Sequence, residues 1–155
     1  MKNILLLNVS PRQNGTSYVL LSMCQDYLLK KGHLCEIIHL YPNLNNLIKL
    51  REAVDKADTL VLCGPCYINT YPADTIALLE ELSLHREILH RQSLYGIIQG
   101  GMPYPHTHES GLSLLEMFCK KCNVSYKGGF VMGLGAILNG QPITCLLYTS
   151  PSPRD

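Results

Sequence analysis

The sequence predicts an α/β domain: a five-stranded parallel sheet with helices on both faces. Three observations predict it. Strand-like and helix-like segments alternate from residue 2 to residue 132, the pattern of a parallel sheet wrapped by its own crossovers. The strand-like segments are near-continuous apolar runs, as in strands buried on both faces. The least regular loops, 8–17, 64–72 and 99–108, each follow a strand. Ligands of open α/β sheets bind beyond those strand ends, where the winding direction switches.

Lys2–Asn8 is the first strand, ending in the turn-rich VSPRQNGTS. Ser17–Lys30 follows with apolar side chains at Leu20, Leu21, Cys24, Tyr27 and Leu28, a helical period. Gly32 is its stop signal. His33–Leu40 is the second strand, and Leu47–Ala57 a second helix charged on one face. Thr59–Cys63 is a third, buried strand. Pro72–Leu84 is a helix with proline in its first turn, where its missing N–H does no harm. Leu94–Gln99, Ser110–Cys122 and Tyr126–Met132 complete the series as strand, helix and strand.

A chain of 155 residues, 46% hydrophobic and 16% charged, supports one domain with a real core. The formal net charge is +1 and the basic residues are scattered, which gives no electrostatic basis for nucleic-acid binding. No apolar run approaches the roughly 20 residues that span a bilayer. The apolar run Ile4–Leu7 is too short for the core of a signal peptide. A cytoplasmic location is expected, and with it reduced thiols; the odd count of seven cysteines also argues against a disulfide framework.

The composition changes abruptly at residues 145–155, CLLYTSPSPRD. This segment resembles one translated frame of a transposase sequencing adapter. The expectation is therefore a domain over residues 1–144 and a non-native tail over 145–155, with the natural chain interrupted near Thr144. A fifth helix would then be missing, leaving apolar sheet surface uncovered.

The first loop carries Ser10, Arg12, Asn14, Thr16 and Ser17 directly before a helix. Hydroxyls, free backbone N–H groups and a guanidinium at a helix N-terminus suit a phosphate. Spacing alone serves a plain capping turn equally well. The loop lacks both the Walker pattern and G-x-G-x-x-G.

Asn8-Val-Ser-Pro-Arg-Gln-Asn-Gly-Thr-Ser17 resembles the phosphate loop of the NAD(P)H-dependent FMN reductases, a branch of the flavodoxin superfamily. Ala57-Asp-Thr-Leu-Val-Leu-Cys-Gly-Pro-Cys-Tyr67, followed by Pro72-Ala73, resembles the same family's second loop, and Gly100-Gly101 its third. Val9 departs from the usual glycine, and Asn69-Thr70 from a segment that is often aromatic or glycine-rich. The resemblance implies a flavodoxin-like domain that binds FMN without covalent attachment. It implies an enzyme that passes a hydride from NAD(P)H, its co-substrate, through FMN to a small-molecule electron acceptor such as a quinone or flavin. A homodimer is common among such proteins. Ser10, Arg12, Asn14, Thr16 and Ser17 would hold the phosphate; Pro65, Cys66, Tyr67, Ile68, Asn69, Gln99, Gly100 and Gly101 would line the ring. No side chain stands out as acid or base. The same fold also serves flavodoxin-type electron carriers, which are typically strongly acidic, unlike this chain.

Cys63-Gly-Pro-Cys66 has the spacing of a thioredoxin pair, so a thiol redox protein is the alternative from another class. Against it, residues 67–71 separate the cysteines from the next helix, and each thiol reads better as a small buried hydrophobe. Cys119 and Cys122 would complete a four-cysteine zinc set, but they lie on a helix rather than in a tight turn, so no metal is expected. The segment 41–57 has no cysteines, which excludes the iron–sulfur variant of the family. In GGMPYPHTHES, His106 and His108 share one side of an extended loop and read as solvent-facing, with substrate contact or proton donation as the alternative; His85 and His90 read as surface residues.

Overall fold

Five strands and four long helices form where the sequence pattern places them in the computed structural model, which describes residues 1–90 and 92–141. The strands are β1 (Asn3–Asn8), β2 (Leu34–His39), β3 (Thr59–Pro65), β4 (Ser93–Gln99) and β5 (Ser125–Met132). They make one sheet in the order β2-β1-β3-β4-β5, every neighbouring pair parallel. The crossovers run through α1 (Thr16–Lys30), α2 (Leu47–Lys56), α3 (Ala73–Leu84) and α4 (Glu109–Cys122). This is the flavodoxin-like α/β arrangement. The expected non-native tail and missing helix lie outside the described residues.

Side-chain alternation splits the core into two layers. Leu5, Leu7, Leu60, Leu62, Leu94 and Ile98 face α2, α3 and α4. Ile4, Leu6, Val61, Cys63 and Ile97 face α1. Truncating a fully buried leucine such as Leu6 to alanine would cost about 2–5 kcal/mol. That is a large share of a domain's marginal stability. On the α1 side a groove of about 540 Å³ lies between Ile4, Val61, Tyr95, Ile97 and Phe130 of the strands and Leu28 of the helix.

Two local features fix the ends of elements, one at each edge of the sheet. Gly32 takes φ +79 after α1, where a left-handed residue closes the helix. His33 N–H then bonds back to Leu28 O at 3.1 Å. Tyr71, just before α3, is fully buried, and its hydroxyl donates to the Ile97 carbonyl at 3.1 Å. Its ring lies against Gly64 and Gly111; a Cβ on Gly64 would come 3.1 Å from the ring and 2.5 Å from Val9 Cγ2. A larger residue at 64 would push apart the first and second loops.

Candidate cofactor site

The order of the strands brings the three singled-out loops to one edge. Winding reverses between β1 and β3, so the loops after β1, β3 and β4 lie side by side at the carboxyl ends of their strands.

The first loop is built by Asn8. Its side-chain oxygen accepts Ser10 N–H at 3.1 Å, and its amide donates to Gln13 O at 3.2 Å and to His39 Nδ1 at 3.0 Å. Ser10 Oγ in turn accepts Arg12 N–H at 3.2 Å. Ser10, Thr16 and Ser17 are buried, while Arg12 and Asn14 are exposed. Gly15 precedes α1 with extended geometry, and no side chain caps the helix. Among the described residues, the N–H groups of Gln13, Asn14, Thr16 and Ser17 meet no acceptor. The loop therefore presents several unpaired donors at the positive end of a 15-residue helix.

A fourth segment, which no sequence pattern marks, touches this loop. After β5 the chain turns through a short 3-10 helix, Gly135–Leu138. Thr16 Oγ1 donates to Gly135 O at 2.8 Å, and Arg12 Nη2 donates to Asn139 Oδ1 at 3.0 Å. Leu134, Asn139 and Gly140 all take positive φ, which shapes the turn around the loop.

The second and third loops are joined. Cys66 N–H donates to Gln99 O at 2.6 Å, continuing the β3–β4 ladder, and Ser110 Oγ donates to Asn69 O. Tyr67 and Thr70 bond to each other across a two-residue turn with Ile68 at φ 50 and Asn69 at φ 68. Pro65 is buried; Tyr67, Ile68 and Asn69 are exposed. The Gln99 side chain turns away from these loops, donating to Ser17 Oγ at 3.4 Å, with Gly135 packed against its amide. Gly101 is open: a Cβ there would meet nothing closer than Ala136 at 4.0 Å.

His108 corrects an expectation. It is 1% exposed rather than solvent-facing, and Nδ1 lies 3.2 Å from Tyr104 O. The short turn Pro105–Thr107 folds it inward. His106 is exposed and stacks on Tyr104. The alternation of polar residues gave no sign that one of the two histidines is enclosed.

The thiol-pair reading fails on geometry. Cys63 packs in the layer against α1 and its Sγ donates to Ser17 O at 3.5 Å, whereas Cys66 packs on the opposite layer and faces Thr107 O. Burial raises the pKa of both thiols, the opposite of what a reactive cysteine needs. All six cysteines among the described residues are free. No helix among those residues is long and apolar enough to cross a membrane.

Comparison with solved structures gives the same fold at low identity. An NADH:FMN oxidoreductase in its apo form is 20% identical, with a TM-score of 0.70 over 99% of this chain and 92% of that one. A general stress protein 14 from Treponema denticola, in complex with FMN, is 16% identical, with a TM-score of 0.66 over 86% of each chain. An NAD(P)H:quinone oxidoreductase from Methanothermobacter marburgensis is 14% identical, with a TM-score of 0.68 over 85% of this chain and 83% of that one. No curated protein matches the chain in sequence. The family model for NADPH-dependent FMN reductase matches residues 2–117, which contain all three loops, and the chain belongs to that family.

Proposed function

We propose that the protein is an FMN-dependent NAD(P)H oxidoreductase acting on a small acceptor of the quinone or flavin class. One observation carries the reading: backbone donors at the start of α1 that meet no acceptor among the described residues, beside two joined loops at the switch point of the sheet. The chemistry of these residues fits FMN. A phosphate would take the N–H groups of residues 13, 14, 16 and 17, the hydroxyls of Ser10 and Ser17, the Thr16 hydroxyl on leaving Gly135 O, and the Arg12 guanidinium. A planar ring would lie along Pro65–Asn69 and Gly100–Gly101, where the missing side chain at 101 leaves room for close approach. Bound FMN supplies the redox chemistry, accepting a hydride from NAD(P)H and passing it to the acceptor.

The protein's own part is binding and orientation. Asn8 shapes the first loop, Gln99 ties the end of β4 to α1, and Tyr71 fixes the exit of the second loop. Around the joined loops, Tyr67, Ile68, Met102, Tyr104, Leu134 and Ile137 expose large apolar side chains. This rim supports an apolar acceptor and, as part of the same proposal, a homodimer that covers it.

The test is direct. The purified protein should be yellow, with flavin absorbance that moves to free FMN on denaturation, and should oxidise NADH or NADPH when a quinone is added. A colourless protein that neither binds added FMN nor oxidises either nucleotide would overturn the reading.

A further inference from the structure

We infer that His108 is a positioning residue that holds the second and third loops at a fixed separation through its Nδ1–H. The assignment rests on the proposed flavin site for its ligand, though not for its structural part. His108 is enclosed at the point where three segments converge. One is its own turn: Nδ1 lies 3.2 Å from the Tyr104 carbonyl and 2.9 Å from Thr107 Oγ1. The Thr107 hydroxyl donates to that same carbonyl at 2.7 Å, so its proton is already directed there. Nδ1 therefore carries a hydrogen and donates to both oxygens.

The far edge of the ring meets the other two segments. A Cβ on Gly100 would stand 2.3 Å from His108 Nε2 and 3.2 Å from Cys66 Cβ. Glycine at 100 is thus required by the imidazole, and Cys66 of the second loop shares the same contact. Cys66 Sγ also points at Thr107 O, 3.8 Å away. The imidazole is a wedge with one tethered edge. Without the tether, the turn Pro105–Thr107 loses its anchor, and the two loops lose the spacer that sets their distance.

The effect should fall on the ring end of the cofactor and leave the phosphate end alone. His108→Leu keeps the buried volume and removes the donor. The dissociation constants of FMN and of riboflavin, read from flavin fluorescence quenching, should both rise by the same factor, roughly tenfold, near the upper end of what the loss of one hydrogen bond costs. His108→Asn can place an amide nitrogen where Nδ1 stood and should recover affinity to within about threefold of the parent. Hydrogen exchange in flavin-free protein should rise at residues 66–70 and 100–108 together in the leucine variant and stay near the parent level in the asparagine variant.

Unchanged flavin affinity in a folded leucine variant, or an asparagine variant as weak as leucine, would overturn the assignment. If the leucine variant does not fold, Gly100→Ala decides. Adding His108→Asn, whose shorter side chain makes room for the new Cβ, should then restore riboflavin affinity, and no recovery would overturn the assignment. A parent protein that binds no flavin would sink the proposed function alone, because the exchange comparison still decides the role of His108.

Discussion

Arg12 Nη2 donates to Asn139 Oδ1 at 3.0 Å, linking the first loop to the turn that follows the last strand, 127 residues away. Arg12 is the only charged side chain between residues 8 and 17. Its partner among the described residues is a neutral amide, which leaves most of the guanidinium N–H donors for an anion.

Arg12→Ala should therefore act on phosphate and not on the ring. A charge-assisted hydrogen bond contributes about 1.5–3 kcal/mol, so FMN affinity should fall by roughly tenfold or more. Riboflavin affinity should change little. Isothermal titration with both ligands checks this, and equal losses for the two would remove Arg12 from the phosphate site.

The cysteines should be chemically quiet. Cys63 is fully buried, and burial raises its pKa far above that of a free thiol; Cys119 is pushed up to about 12, chiefly by burial. Neither should react with a thiol reagent at pH 8 until the protein unfolds. Cys63→Ala and Cys66→Ala should each retain most NAD(P)H oxidation. A mixed disulfide trapped on Cys66 in the folded protein, with activity lost in both variants, would restore the thiol reading.

Acid should loosen the first loop through His39. Its Nδ1 accepts the Asn8 amide at 3.0 Å, and burial lowers its pKa below 6.5. The unfolded chain therefore binds the proton first as pH falls, so this contribution to stability is full above about pH 6.5 and is lost as pH drops through the lower folded value. Protonated His39 would also turn a donor toward the Asn8 amide and disturb the loop that Asn8 holds. FMN affinity and Tm should both decline on acidification in the parent. In His39→Asn, whose side-chain oxygen can accept from Asn8 and does not titrate, both declines should be smaller.

The fold was legible because its signals are local and periodic. Apolar runs such as Leu60–Cys63 declare a buried strand, and the Leu20, Leu21, Cys24, Leu28 spacing declares the buried side of a helix. The three loops were legible for the same reason: each sits at the end of a strand, and strand ends follow from the pattern. What could not be read depends on contacts distant in sequence. The packing of Gly135 on the Gln99 side chain, the Asn139 contact to Arg12 and the enclosure of His108 by Gly100 and Cys66 each join residues that share no period. Even Tyr71, fully buried, sits in the irregular loop 64–72, and its burial depends on glycines at 64 and 111.

Ile68 sits against its own backbone preference. It takes φ 50 at the first corner of the turn between Tyr67 and Thr70, and its side chain is 97% exposed. A two-residue turn with positive φ at both centres prefers Asn, Asp or Gly. A β-branched residue there crowds its own carbonyl and costs about 1–2 kcal/mol. Nothing among the described residues offsets that cost, since the side chain is solvent-exposed. Ile68→Asn should therefore raise the stability of the protein by about 1 kcal/mol, a few degrees in Tm for a domain of this size. If the proposed role of the second loop is right, the same substitution should weaken function: removing an apolar group from the rim should raise KM for a naphthoquinone acceptor several-fold and leave the FMN dissociation constant nearly unchanged. Differential scanning calorimetry and steady-state kinetics on one preparation measure both. A variant with a higher Tm and an unaltered KM would leave the turn strained but take Ile68 out of the acceptor site, and a lower Tm would refute the strain itself.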